Sequence, residues 1–337
     1  MGSVIPLKKS ANSAYLELKN LLGHKLQKVE NLIEQKLKSD VDLIEKMSEH
    51  HLKSGGKRLR ALLTLESAKL TGYKEDNRDI NLAACVELIH SATLLHDDVI
   101  DESSLRRGVK TANSIWGNQS SILVGDYLLS RCFEMVVDDG SPEVLKILSS
   151  VSSEIAQGEI MQLQFEKQID MVEKNYLDII SAKTASLFGA AMRVGGCINE
   201  RSKKEKEALE SYGRNLGICF QISDDILDYN SKEEVFGKKI GNDFIEGKIT
   251  LPIILLFQKS SPAEREQLQK FYTHNERSEN EFKETLKLIQ KYQIIEACKK
   301  RADYFANVAS DSLSIFEKNF AIEKLQELTV YIVNRIN

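Results

Sequence analysis

Two apolar stretches end in the same acidic pattern, VELIHSATLLHDDVID at residues 86–101 and LGICFQISDDILD at residues 216–228. On a helix, the three aspartates of each DDxxD pattern share one face, because positions i, i+1 and i+4 lie at roughly 0°, 100° and 40° around the axis. Two such carboxylates repel by about 4 kcal/mol at an effective dielectric near 20. Neither pattern contains Lys or Arg, so the sequence predicts that a bound cation neutralises the aspartates.

The cation predicted at these patterns is Mg2+. Aspartates without Cys or clustered His favour a hard, oxygen-coordinated ion, and Mg2+ commonly joins one or two carboxylates to substrate phosphates. The candidate ligands are Asp97, Asp98 and Asp101 in the first pattern and Asp224, Asp225 and Asp228 in the second. One pattern alone would more often be a solvated helix end. Two copies that both close apolar runs favour a magnesium-dependent enzyme acting on diphosphates.

Composition limits the class of protein. The 337 residues carry a formal net charge of -4, which argues against a general nucleic-acid-binding protein because such binding depends on a basic surface. The sequence contains no apolar run of the length that a membrane span needs. Residues 1–20 lack the apolar core of a secretory signal, and the five cysteines are widely spaced. We therefore expect a cytoplasmic protein with reduced cysteines.

The spacing of apolar residues predicts an all-α protein. Leu and Ile recur every three or four residues among Lys and Glu, no alternating strand pattern is found, and no linker divides the chain. We expect one domain, residues 1–337, built as a bundle of about ten or more helices that encloses the two DDxxD helices. The predicted helices span residues 10–38, 41–54, 58–71, 79–101, 112–139, 142–168, 173–195, 203–228, 249–259, 262–274, 279–290, 293–310 and 321–335.

Basic residues accompany both acidic patterns. GGKRLR at residues 55–60 places a flexible turn before a basic helix start, where an anion can bind. Arg106 and Arg107 closely follow the first DDxxD pattern. Lys183 lies in an apolar helix, where it either meets a partner such as phosphate or extends to the surface. A segment with Lys238, Lys239 and Lys248 follows the second pattern and is suited to close over a substrate.

Together these residues resemble the trans-isoprenyl diphosphate synthases, particularly the long-chain polyprenyl members. The matching stretches occur in the family's order and cover the chain from about residue 40 to about residue 260. They are GGKRLR (55–60), HDDVIDESSLRRG (96–108), GEIMQL (158–163), KTA (183–185), QISDDILD (221–228) and GKKIGNDFIEGKITLP (237–252). One departure is Ala61, where the family commonly has Pro.

The resemblance implies an isoprenoid synthase-type helical bundle around a central apolar tunnel, usually a homodimer. Mg2+ would join an allylic diphosphate (farnesyl or geranyl) to the aspartates, with Asp97, Asp101 and Asp224 as direct ligands. The supporting carboxylates would be Asp98, Asp225, Asp228 and Asp243. Isopentenyl diphosphate would contact Lys57, Arg60, His90 and Arg107. The allylic diphosphate would contact Arg106, Lys183, Thr184, Gln221, Lys248 and Lys238, with Lys239 as the alternative to Lys238.

The resemblance also implies the reaction and the product. Metal and basic residues would stabilise the departing diphosphate, the allylic C–O bond would ionise, and isopentenyl diphosphate would attack the cation. The residues assigned to this chemistry are Asp97, Asp98, Asp101, Arg106, Lys183, Asp224, Asp225 and Lys238. Short-chain members typically have an aromatic residue where this chain has Ala92 and Thr93. We therefore expect a product of about C40 to C50, used for quinone side chains.

Four other classes fit parts of the sequence. A synthase of C15 to C20 products has the same motifs with a shorter tunnel. A class I terpene cyclase shares one DDxxD pattern but usually has an Asn/Ser/Glu motif in place of the second. A non-catalytic partner subunit generally loses one of the aspartate patterns, and here both are complete. A calcium-binding helical module lacks support because no acidic loop with a central Gly is present.

Overall fold

The computed structural model describes residues 7–53, 55–74, 77–230, 241–273 and 277–335, and the side chains from residue 14 onward within those ranges. The helices are α1 (Leu7–Lys36), α2 (Asp42–Lys53), α3 (Leu59–Leu70), α4 (Arg78–Ile100), α5 (Ala112–Trp116), α6 (Asn118–Asp139), α7 (Pro142–Gln164), α8 (Glu173–Ile180), α9 (Ser186–Ile198), α10 (Lys203–Asn230), α11 (Asn242–Glu246), α12 (Leu251–Lys259), α13 (Pro262–Thr273), α14 (Glu279–Lys291), α15 (Ile294–Ser312) and α16 (Phe320–Asn334). A π-helical turn, Ser181–Ala185, joins α8 to α9, and a 3-10 turn, Leu313–Ile315, follows α15.

The predicted all-α fold is confirmed, with local differences in addition to the π-helical turn that lies inside the predicted helix 173–195. A short antiparallel hairpin after the first DDxxD pattern pairs β1 (Leu105–Arg106) with β2 (Val109–Lys110). The helix predicted over residues 112–139 is divided into α5 and α6 at Gly117, whose φ of 83° is incompatible with a continuous helix. The five-residue helix α11 was not predicted, because so short a segment carries no measurable periodicity.

The two DDxxD helices pass through the apolar core. One connected cluster of buried apolar residues extends from Tyr15 in α1 to Ile332 in α16. Helix α4, which carries the first pattern, packs against α6 and α3, and α10, which carries the second, packs against α9 and α15. Among the described residues, no helix is both long enough and apolar enough to cross a membrane.

Helices α9 and α10 approach each other closely because α10 has glycines at the contact. A Cβ atom on Gly213 would lie 2.3 Å from the carbonyl oxygen of Phe188, and one on Gly217 would lie 2.6 Å from the Cα of Ala185. No side chain fits at those distances, so the two helix backbones meet directly. This contact places the π-helical turn beside the second DDxxD pattern.

Glu66 in α3 is a buried carboxyl group in this apolar core. It has no exposed surface, and neither of its carboxylate oxygens accepts a hydrogen bond within the described residues. Burial raises the pKa of Glu66, with Lys69 partly opposing the shift. The folded protein therefore keeps a proton that the unfolded chain releases, and stability falls as the pH rises from the unfolded pKa toward the folded pKa.

We expect Glu66→Leu to raise the free energy of unfolding at pH 8 by about 1–2 kcal/mol, because it removes an unsatisfied buried polar group. The gain should shrink toward pH 4, because the unfolded chain then also binds a proton at this carboxyl group in most molecules. Thermal unfolding of wild type and variant between pH 4 and pH 8 measures this difference. Glu207→Gln, at an exposed position of α10, is the control. A lower midpoint for Glu66→Leu at pH 8 would contradict the prediction.

Candidate active site

Asp97, the first aspartate of the first DDxxD pattern, lies close to one basic and two acidic side chains. The Lys183 ammonium lies 4.0 Å from Asp97 and 2.8 Å from the carboxylate of Glu159. Burial raises the pKa of Asp97 to about 7; Lys183 opposes this shift, while Glu159 and Asp101 add to it. The Asp97 carboxylate is thus short of neighbouring positive charge, which a bound cation would supply.

Asp98 is more deeply buried than Asp97 and holds the β1–β2 hairpin. Its buried side chain accepts a hydrogen bond from the Arg106 Nε at 2.9 Å and forms an ion pair with a terminal nitrogen of the same guanidinium at 2.7 Å. The Asn113 amide donates to the Asp98 carbonyl oxygen at 3.0 Å. This geometry fits the supporting role inferred from the family resemblance, since Asp98 fixes Arg106 beside the aspartates.

Asp225 has the equivalent buried position in the second pattern. It accepts hydrogen bonds from the Tyr176 hydroxyl at 2.6 Å and the Gln221 amide at 2.8 Å. Burial raises the pKa of Asp225 to about 7, although the hydrogen bonds from Tyr176 and Gln221 oppose the shift. The Thr184 hydroxyl donates to the Gln221 amide oxygen at 3.0 Å. The second pattern is therefore connected by hydrogen bonds to the π-helical turn.

Asp224 and Asp228 occupy the outer face of the second pattern. The Asp224 side chain is 40% exposed, against 15% for Asp97 and 17% for Asp101, and the Arg335 guanidinium lies 3.5 Å from it. Asp228 accepts hydrogen bonds from the backbone N–H groups of Asn242 and Asp243 at the start of α11. Asp228 thereby holds the first residues of α11.

The segment 241–248 connects the two DDxxD patterns. Asp228 binds the start of this segment, and at its end the Lys248 ammonium donates to Asp101 at 2.9 Å. Burial lowers the pKa of Lys248, but Asp101, Glu246 and Asp243 together raise it above the usual lysine value. The structure therefore brings the two patterns, 123 residues apart at Asp101 and Asp224, to one site.

A cationic cluster lies beside the aspartates and consists of Arg58, Arg60, His90, Arg106 and Arg107. A guanidinium nitrogen of Arg60 lies 3.1 Å from His90 Nε2, and the group stacks 4.4 Å from the centre of the Phe188 ring. Burial lowers the pKa of Arg60 to about 10. Burial and Arg60 hold the pKa of His90 well below its usual value, so His90 is neutral and accepts from Arg60.

Arg107 completes the cluster from the hairpin. Its backbone has a left-handed φ of 53°, and a Cβ atom on Gly56 would lie 3.0 Å from its guanidinium. Burial, Arg106 and Arg58 lower the pKa of Arg107. Cations that depress each other's pKa favour a bound anion, so the cluster is suited to hold a diphosphate.

The turn GGKRLR is fixed by residues that the sequence alone did not indicate. The buried carboxylate of Glu87 accepts the backbone N–H of Ala61 at 3.0 Å and lies 3.5 Å from Arg58. Proline has no N–H group, so the Ala61 departure adds a hydrogen bond at the start of α3. Lys57 donates to the Tyr331 hydroxyl at 3.0 Å, and the Tyr15 hydroxyl donates to the Lys57 carbonyl oxygen at 2.9 Å.

The remaining predicted residues have clear positions where they are described. Ala92 is 2% exposed in α4, and the Thr93 hydroxyl donates to the His90 carbonyl oxygen at 2.8 Å. Lys238 and its alternative Lys239 lie outside the described residues. Sequence reasoning gave no role to Glu159, although GEIMQL was among the matching stretches, and it missed Tyr176 and Tyr331 because nothing local identifies them.

The donor set fits Mg2+ shared with a phosphate ligand. Among the described residues, no group of three or more His, Cys, Asp or Glu side chains is placed to hold a metal ion. The side chains available at the site are carboxylates, and Mg2+ usually combines one or two of these with substrate phosphates and water. Asp97, Asp101 and Asp224 are the carboxylates suited to this arrangement, because Asp98 and Asp225 are buried against protein donors.

Comparison with known proteins places the chain in a family. A family model described as polyprenyl synthetase matches residues 41–289. The chain belongs to the polyprenyl synthetase family. An octaprenyl diphosphate synthase of Escherichia coli (strain K12) is 40% identical over 253 residues, which cover 75% of this chain and 78% of the relative. This polyprenyl synthetase is thus a prenyltransferase, and the predicted resemblance to long-chain trans-isoprenyl diphosphate synthases is confirmed.

Two solved structures of polyprenyl synthetases have the same fold. A decaprenyl diphosphate synthase from Rhodobacter capsulatus is 38% identical with a TM-score of 0.91, covering 96% of this chain and 99% of that chain. A polyprenyl synthase from Caulobacter crescentus CB15, complexed with calcium and isoprenyl diphosphate, is 40% identical with a TM-score of 0.91, covering 96% and 98%. These matches confirm the isoprenoid synthase fold.

Proposed function

We propose that this prenyl diphosphate synthase extends an allylic diphosphate with isopentenyl diphosphate to a long-chain product of about C40 to C50, in a Mg2+-dependent reaction. The observation that carries the proposal is the joining of both DDxxD patterns through Asp228, segment 241–248 and Asp101, beside the cationic cluster. The site thus has an acidic side, formed by the DDxxD aspartates, and a basic side, formed by the cationic cluster. Two diphosphate substrates fit these sides if one binds the aspartates through Mg2+ and the other binds the cationic cluster directly.

The aspartate side of the site would bind the allylic diphosphate. Mg2+, held by Asp97, Asp101 and Asp224, would supply the charge that stabilises the departing diphosphate. Lys183 lies next to Asp97, and Arg106 is oriented by Asp98, so both are placed to contact the same diphosphate. Thr184, Gln221, Lys248 and Lys238 are the further proposed contacts. Because Lys183, Arg106 and Lys248 are already held by carboxylates before the substrate arrives, they need little reorganisation during ionisation of the allylic C–O bond.

The cationic cluster would bind isopentenyl diphosphate. Arg60 and His90 are held together by a hydrogen bond, and Arg107 adds a second guanidinium from the hairpin. Lys57 is held by Tyr15 and Tyr331 at the edge of the turn. A diphosphate there would place the double bond of isopentenyl diphosphate toward the allylic cation, so that one isoprene unit is added in each cycle.

Several narrower features belong to the same proposal. Helices α6 and α7 expose large apolar side chains, with Leu123, Val137 and Ile160 between 58% and 62% exposed, which supports a homodimer. Farnesyl or geranyl diphosphate is the proposed primer, and quinone side chains are the proposed use of the product. A single domain and a cytoplasmic location remain predictions from the sequence.

Product analysis tests the proposal directly. The purified protein is incubated with Mg2+, labelled isopentenyl diphosphate and farnesyl diphosphate, and the dephosphorylated products are sized. We expect a ladder that ends at about C40 to C50 and requires Mg2+. A ladder that ends at C20 from farnesyl diphosphate, or at C15 or C20 from geranyl diphosphate, would instead identify a short-chain synthase. Absence of any product would favour the non-catalytic partner subunit.

A further inference from the structure

The pair Gly158-Glu159 lies where α7 passes the π-helical turn. A Cβ atom on Gly158 would be 2.7 Å from the backbone nitrogen of Lys183 and 3.1 Å from its Cα. No side chain can be accommodated at that distance, so glycine permits α7 to contact the backbone of the turn directly. The next residue, Glu159, is thereby brought beside the Lys183 side chain.

Glu159 provides the closest contact of the Lys183 ammonium. The two groups are 2.8 Å apart, whereas Asp97 is 4.0 Å from Lys183. The side chains of Lys183 and Glu159 are only 21% and 14% exposed, and the Glu159 Oε1 atom has no geometrically aligned donor within the described residues. Because water reaches this ion pair less than it reaches a pair at the surface, the attraction between the two charges is stronger.

The π-helical turn is therefore held from two sides. Glu159 in α7 binds Lys183, and Gln221 in α10 binds the next residue, Thr184. A lysine side chain otherwise loses conformational entropy when a ligand fixes it. An ammonium group has three N–H donors, so one bond to Glu159 leaves donors for a phosphate.

We propose that Glu159 is a positioning residue that holds Lys183 in place for the allylic diphosphate. This inference rests on the proposed function, because it takes the group beside Asp97 to be a diphosphate. Glu159 acts through Lys183 and contributes preorganisation, which lowers the cost of binding.

The first test is the binding of farnesyl diphosphate with Mg2+ in the absence of isopentenyl diphosphate. Glu159→Gln is expected to raise the dissociation constant about tenfold, the size of effect typical for a hydrogen bond to a charged group. The KM for isopentenyl diphosphate should change less than about twofold, because the cationic cluster is untouched. Glu159→Asp keeps the charge but withdraws it from Lys183, and it should weaken binding as well.

Glu143→Gln is the matched control. Glu143 lies on the same helix, α7, and its carboxylate is 2.7 Å from the Lys206 ammonium. It thus loses a Glu–Lys pair of nearly the same length, but at the far end of the helix. We expect its dissociation constant for farnesyl diphosphate to equal that of the wild type.

A double-mutant cycle separates positioning from a general structural role. In a Lys183→Met background, Glu159→Gln should not weaken farnesyl diphosphate binding further, because the remaining effect of Glu159 is its repulsion of Asp97. Unchanged or tighter binding by Glu159→Gln in the wild-type background would overturn the inference, and so would additive effects in the cycle. Failure of the wild type to elongate any primer would instead overturn the proposed function, while the binding measurement would still test Glu159.

Discussion

Asp97→Asn and Asp224→Asn, made separately, are each expected to lower the rate of chain elongation by at least about 10²- to 10³-fold, the loss typical when one group that stabilises transition-state charge is removed. Asparagine keeps the shape of the side chain but removes the negative charge that the proposed Mg2+ site requires. Asp97 lies beside Glu159 and Asp101, with Lys183 opposing their effect on its pKa, and Asp224 is 40% exposed, so both are suited to the proposed metal–diphosphate complex.

Incorporation of labelled isopentenyl diphosphate at a series of Mg2+ concentrations measures this loss. Asp311→Asn, at an exposed position of α15, is the control and should retain wild-type activity. Chelation of divalent ions should abolish the wild-type activity, and added Mg2+ should restore it. Wild-type rates in either DDxxD variant would show that its carboxylate is not needed for the metal–diphosphate complex.

The helices were predictable because they are long and periodic. The predicted segments 79–101 and 203–228 correspond to Arg78–Ile100 and Lys203–Asn230. The β1–β2 hairpin was not predictable, since two residues per strand are too few to show alternation. The π-helical turn was also missed, because it depends on the contacts of α7 and α10 with its two sides rather than on a local pattern.

The aspartates of the site were predictable for a different reason from their partners. Each DDxxD pattern is local, so its shared helix face follows from spacing alone. The partners come from distant parts of the chain: Tyr176 is 49 residues from Asp225, and Tyr331 is 274 residues from Lys57. Such pairings are set by how the helices pack, which spacing does not reveal. Glu159 shows the intermediate case, where the motif was found but its contact with Lys183 was not.

Ala92→Phe is expected to shorten the product from about C40–C50 to about C15–C20, because an aromatic ring would close the proposed tunnel to the growing chain. Ala92 is five residues, or about 1.4 helical turns, before Asp97 in α4, and it is 2% exposed. The measurement is the size of the dephosphorylated products with farnesyl or geranyl diphosphate as primer. The total rate of the first condensation should change much less than product length.

The stability of the same variant distinguishes a tunnel from ordinary core packing. A ring forced into a filled core costs about 1–3 kcal/mol of stability, whereas a ring entering an apolar tunnel costs much less. Leu94→Phe is the control, because two residues along α4 correspond to a rotation of roughly 200°, which places it on the opposite face. We expect Ala92→Phe to unfold near the wild-type temperature and Leu94→Phe to leave product length unchanged. A folded Ala92→Phe variant that still makes the wild-type ladder would show that the chain grows along a path that does not pass Ala92.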